Sequence, residues 1–91
     1  MKKIMMFYMN GCPYCANAKK AMQELKEENQ NFAGLEVEMI NENEHPEISA
    51  KYDYYYVPTF IVDGRKVYEA HPGERFEECK EKVREVFETA L

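Results

Sequence analysis

The feature that most restricts the fold lies near the N-terminus. A continuous apolar run, Ile4 to Met9, is broken by Asn10-Gly11, and Cys12-Pro13-Tyr14-Cys15 follows at once. A strand with one wet face alternates apolar and polar residues, whereas a strand covered on both faces need not. The run therefore predicts a central strand. Pro13 suits the first position of a helix, where its missing N–H has no intrahelical partner in any case. Beyond it, Cys15, Ala18, Ala21, Met22 and Leu25 recur at steps of three and four, while Lys19, Lys20, Gln23, Glu24 and Lys26 fall mostly on the other face. This is a helix to about Asn29, with Cys12 at its N-cap and Cys15 in its first turn on the core side.

The remaining elements follow from the same periodicities. Leu35, Val37 and Met39 alternate with Glu36 and Glu38, which predicts a second strand. Strand, helix and strand in succession form a βαβ unit, so the two strands should be parallel with a right-handed crossover. Asn43 to Asp53 reads as a short helix, with Pro46 in its first turn and Ile48 and Tyr52 as its apolar pair. Phe60-Ile61-Val62 and Arg65 to Ala70 flank Asp63-Gly64, a hairpin with a type I′ turn. Arg65 and Lys66 suit an edge strand. After the loop His71-Pro72-Gly73, a stripe of Phe76, Cys79, Val83, Val86 or Phe87, and Ala90 predicts a final helix, with Glu74, Glu77 and Glu78 in its first turn. The expected class is α/β in the order β-α-β-α-β-β-α: a four-stranded mixed sheet with helices on both faces, forming one domain over residues 1–91.

Charge narrows the function. With 17 acidic and 12 basic residues the net charge is −5, which opposes a grip on nucleic acid or on an anionic membrane. The apolar run after Lys2-Lys3 is shorter than the roughly 7–15 residues of a secretory leader, and no stretch approaches the ~20 needed to span a bilayer. Three cysteines, Cys12, Cys15 and Cys79, do not suit a secreted disulfide scaffold. A cytoplasmic monomer is expected, in which a close cysteine pair is redox-active or metal-binding.

Disulfide exchange needs one thiolate to attack a sulfur and a second thiol to resolve the mixed disulfide. A helix N-terminus favours the first role, because unpaired N–H groups and the positive end of the dipole converge there. Cys12 is the expected nucleophile and Cys15 the resolving thiol. A zinc site wants four ligands, and no second pair is spaced to supply them, with His45, His71 and Cys79 isolated in sequence. No metal ligands are assigned. Cys79, on the apolar stripe of the last helix, reads as a small hydrophobe. Lys19 and Lys20 read as a solvated face. Tyr54 to Tyr56 read as packing over a helix–strand junction or as a rim facing substrate.

At this point the sequence resembles the thioredoxin superfamily. Cys12-Pro13-Tyr14-Cys15 is similar to the dithiol glutaredoxin active site. Asn43 to Tyr52, Val57-Pro58-Thr59-Phe60 and Asp63-Gly64-Arg65-Lys66-Val67 resemble the central stretch of thioredoxins. The resemblance implies a thioredoxin fold and reduction of protein or glutathione-mixed disulfides. It implies no bound cofactor, the electrons coming from glutathione or a thioredoxin reductase. It further implies a cis-proline at Pro58 facing the cysteines. Val57 would pair with an extended substrate, and Pro13, Tyr14 and Gly73 would line the binding surface. The chain departs from thioredoxins in having no Trp, and from glutaredoxins in having Met9-Asn10-Gly11 before Cys12 where a Lys is usual. Two other functions fit the same fold: an iron–sulfur cluster or metal carrier using the first cysteine, which Pro13 disfavours by family likeness, and a redox-inert binding module.

Overall fold

The computed structural model describes residues 1–91. In chain order it contains β1 (Ile4–Tyr8), α1 (Pro13–Glu28), α2 (Gln30–Ala33), β2 (Val37–Asn41), α3 (Pro46–Ser49), β3 (Thr59–Val62), β4 (Arg65–Glu69) and α4 (Phe76–Ala90). The sheet order is β2-β1-β3-β4. β1 runs parallel to β2, with Ile4 opposite Val37, and antiparallel to β3, with Met6 opposite Phe60. β3 and β4 are antiparallel with an irregularity between Phe60 and Ile61. This is the thioredoxin fold.

The continuous apolar run of β1 has the expected cause. Ile4 and Met6 point into the main core with Ala18, Ala21 and Leu25 of α1 and Val83, Val86 and Phe87 of α4. Met5 and Phe7 point the other way, into a smaller cluster with Ile40 and Ile61 that Ile48, Tyr52 and Tyr54 cover. Phe7 stacks on Tyr54 at 5.1 Å between ring centroids. A residue of either parity is therefore dry, and alternation disappears. Asp63 and Gly64 both have positive φ, 49° and 83°, as a type I′ turn demands.

The structure departs from the expected elements in four places. The extra helix α2 buries Phe32 against Phe87, and β2 starts after it, so Leu35 is buried ahead of the strand rather than within it. Met39 is 38% exposed, while Ile40 and Asn41 are buried. β2 is an edge strand, and its buried residues shift to the end where the second cluster lies. α3 is shorter than Asn43–Asp53, although Ile48 and Tyr52 still pack as a pair. Glu74 precedes α4 and is buried beneath the loop instead of facing solvent in a first turn. No helix is long and apolar enough to cross a membrane.

Candidate active site

α1 begins at the C-terminal end of the central strand, and its N-cap is Cys12, with φ −93° and ψ 112°. The Cys12 sulfur takes the place of a capping oxygen: the Cys15 N–H donates to Cys12 Sγ at 3.2 Å. An N–H with no partner inside the helix thereby points at sulfur. Both thiols are free. Cys12 is 9% exposed and Cys15 2%. Burial, followed by the hydrogen bond with Cys12, pushes the Cys15 thiol up to about 12, against smaller opposing effects from the Met9 backbone and Lys19. Cys15 is thus held as a protonated thiol beside its partner.

The opposite wall is the segment entering β3. The Val57–Pro58 peptide is cis, the isomer the resemblance implies. Cys12 Sγ lies 3.7 Å from the Val57 carbonyl oxygen. Val57 is half-buried and Pro58 buried, while Pro13 is exposed at the mouth. A shallow groove on the near side is lined by Met9, Asn10, Gly11, Cys12, Pro13 and Lys19, among others. Tyr14 is half-buried against the main core, and its hydroxyl accepts the Gly73 N–H at 2.7 Å. The loop before α4 is thereby tied to the Cys12–Cys15 turn.

The family of this chain follows from comparison with known proteins. Residues 2–76 match the family described as Thioredoxin domain. The thioredoxin of Methanocaldococcus jannaschii is 36% identical over 62 residues, 68% of this chain and 71% of that protein. The chain belongs to the thioredoxin family. Thioredoxin 1 from Thermosipho africanus superposes with a TM-score of 0.57 at 21% identity, covering 97% of each chain. A mutant thioredoxin from Halobacterium salinarum gives 0.58 at 21% identity, over 92% of this chain and 73% of that one. These two likenesses concern the fold. The glutaredoxin-like tetrad thus stands in a thioredoxin-family chain, and the paired cysteines at the start of α1 make it a thiol–disulfide oxidoreductase.

Several neighbours of this thioredoxin-family site were not legible in the sequence. Glu69, at the end of β4, accepts the N–H groups of Tyr55 and Tyr56 at 2.6 and 2.8 Å and the Lys66 ammonium at 2.8 Å. It fixes the segment that leads to Val57. Partial burial pushes the Glu69 carboxyl up, but these donors outweigh it and hold the group below its ordinary range. The three tyrosines divide. Tyr54 packs on Phe7 and donates to Glu42 at 2.7 Å, whereas Tyr55 and Tyr56 are 87% and 51% exposed. Lys19 and Lys20 are not simply solvated; their ammonium groups lie 4.6 and 4.9 Å from the ring centroids of Tyr8 and Phe76. Cys79 is buried in the main core, and burial raises its thiol above the usual range.

Proposed function

We propose that this chain reduces disulfides of protein substrates in the cytoplasm as a single-domain monomer. The Cys12 thiolate attacks one sulfur of the substrate disulfide, forming a mixed disulfide and releasing the other sulfur as a thiolate. Cys15 then gives up its proton, which the departing substrate sulfur can take, and attacks Cys12 Sγ. A Cys12–Cys15 disulfide forms and the reduced substrate leaves. An external donor returns two electrons and one proton, restoring the Cys12 thiolate and the Cys15 thiol. Sulfur carries the electrons throughout, so the step needs no bound cofactor.

One observation carries this assignment of roles: Cys12 Sγ caps the helix and faces Val57, while Cys15 sits behind it, buried and held protonated. In this reading Val57 pairs with an extended segment of substrate, Pro58 closes the wall beside Cys12, and Pro13, Tyr14 and Gly73 form the rim. The donor we assign is a thioredoxin reductase. The chain's membership of the thioredoxin family, with a thioredoxin among its relatives, supports this choice.

The test is turnover of a disulfide-bearing protein such as insulin, with NADPH and thioredoxin reductase in one arm and glutathione with glutathione reductase in the other. The first arm should be faster. Turnover only with glutathione would reverse the donor assignment, and turnover in neither arm would remove the reductase reading.

A further inference from the structure

We propose that His71, Glu74 and Glu78 form a binding site for a zinc ion where the loop after β4 enters the first turn of α4. His71 Nε2 lies 2.6 Å from Glu78 Oε2 and 3.8 Å from Glu74 Oε1. One ligand atom from each residue falls within 4.8 Å of the others. Donors that share a zinc ion, each bonded at about 2.0–2.2 Å, stand roughly 3–3.5 Å apart. Small movements of the exposed His71 and Glu78 side chains, one towards Glu74 and the other away from His71, bring the set to that spacing.

A group of acids around a histidine is common on surfaces and proves nothing alone. The distinguishing feature here is Glu74. Its side chain is 1% exposed, and its Oε1 is buried with no hydrogen-bond partner. A buried carboxylate oxygen left unpaired is costly. This one is aimed at His71 Nε2. The other oxygen of the same carboxylate is held by the Tyr68 hydroxyl, which fixes the direction of Oε1.

His71 is set in the same manner. Its Nδ1 lies 3.1 Å from the Pro72 carbonyl oxygen, which can only accept, so Nδ1 donates there and Nε2, which donates to Glu78 Oε2 at 2.6 Å, is the nitrogen turned towards the carboxylates. Ligating histidines typically donate the other ring N–H to a carbonyl or carboxylate, and ligating carboxylates are themselves hydrogen-bonded. One imidazole and two carboxylates suit zinc better than magnesium or calcium, which take oxygen alone. Three protein ligands leave a fourth position for water. Access is open, because the His71 and Glu78 side chains are 54% and 45% exposed. Binding forms bonds from Nε2 and two carboxylate oxygens to the ion, and any proton on Nε2 leaves to solvent. Gly73, which donates to Tyr14, lies between two of the ligands, so the ion braces the loop that borders Cys12. The site stands apart from the redox reading and does not depend on it.

The experiment uses the full chain as Cys12→Ser/Cys15→Ser, so that the dithiol cannot compete for metal. Isothermal titration with zinc should show one equivalent bound. Cobalt as a spectroscopic probe should give d–d bands without sulfur charge-transfer absorption. His71→Ala and Glu78→Gln, both at solvent-facing positions, should each weaken zinc binding at least ~10-fold while their thermal unfolding without metal stays cooperative. Binding seen only when Cys12 and Cys15 are present would overturn the proposal. So would unchanged affinity in both variants, which would make His71 an imidazolium held by two carboxylates and nothing more.

Discussion

With Cys12 replaced, the burial of Cys15 should leave it a slow nucleophile at neutral pH. In Cys12→Ser, Cys15 loses its hydrogen-bonded sulfur but keeps the larger cause of its raised pKa, desolvation at 2% exposure. Taking about 12, the value with Cys12 present, as the upper limit for the variant against an ordinary ~8.5, the thiolate fraction at about pH 7.5 falls by at most roughly 3,000-fold. A more basic thiolate is also a better nucleophile, and a Brønsted slope of ~0.45 returns roughly 40-fold. The net expectation is alkylation tenfold to about 100-fold slower than that of free cysteine, before restricted access slows it further. Timed iodoacetamide labelling with peptide mass spectrometry separates Cys15 from Cys79 and gives the rate at each pH. The rate should climb about tenfold per pH unit up to about pH 10 without a plateau. A plateau below about pH 9, or a neutral rate within tenfold of free cysteine, would show that burial does not hold the proton on Cys15.

Tyr14→Phe removes the bond that ties Gly73 to the cysteine turn. Gly73 is exposed and its N–H can turn to water, so the expected loss is about 1 kcal/mol in a urea titration, with faster hydrogen exchange at the Gly73 amide; unchanged exchange there would refute the tie. Phe87→Ala empties a fully buried site against Phe32 and should cost about 3–5 kcal/mol in the same titration. Glu69→Gln tests the tyrosine segment by pH. Because the folded carboxyl is held below its ordinary range, its stabilisation is present above the unfolded value of about 4.3 and is lost as pH falls through the lower folded value. The gap in urea midpoint between wild type and variant should therefore close on acidification, and a gap that widens would contradict the linkage.

The parts of the fold that depend on local periodicity were legible. Ile4 to Met9 named the central strand, Pro13 the helix start, and Asp63-Gly64 the turn. Each of these signals is carried by neighbouring residues. The ends of β2 were not legible, because the burial of Leu35 depends on α2 and Phe32, and that of Ile40 on a cluster built from residues far along the chain. The same division holds at the site. Cys12 and Cys15 stand out by spacing alone, but nothing near Glu69 in sequence announces that it will hold Tyr55 and Tyr56. Tyr14 meets Gly73 only once α1 and α4 lie side by side. The steps of three and four from His71 to Glu74 to Glu78 were present in the sequence, yet a solvated helix start accounts for such spacing equally well. The burial of Glu74 separates the two readings, and burial is a property of the folded chain.

The exchange cycle requires that Cys12 be the sulfur that meets substrate. The direct measurement is to mix Cys15→Ser and Cys12→Ser separately with a disulfide-bearing protein, then analyse the products by non-reducing mass spectrometry. Cys15→Ser should accumulate a mixed disulfide mapped to Cys12, and Cys12→Ser should accumulate none. A stable adduct through Cys15 or Cys79 in the Cys12→Ser protein would contradict the assignment.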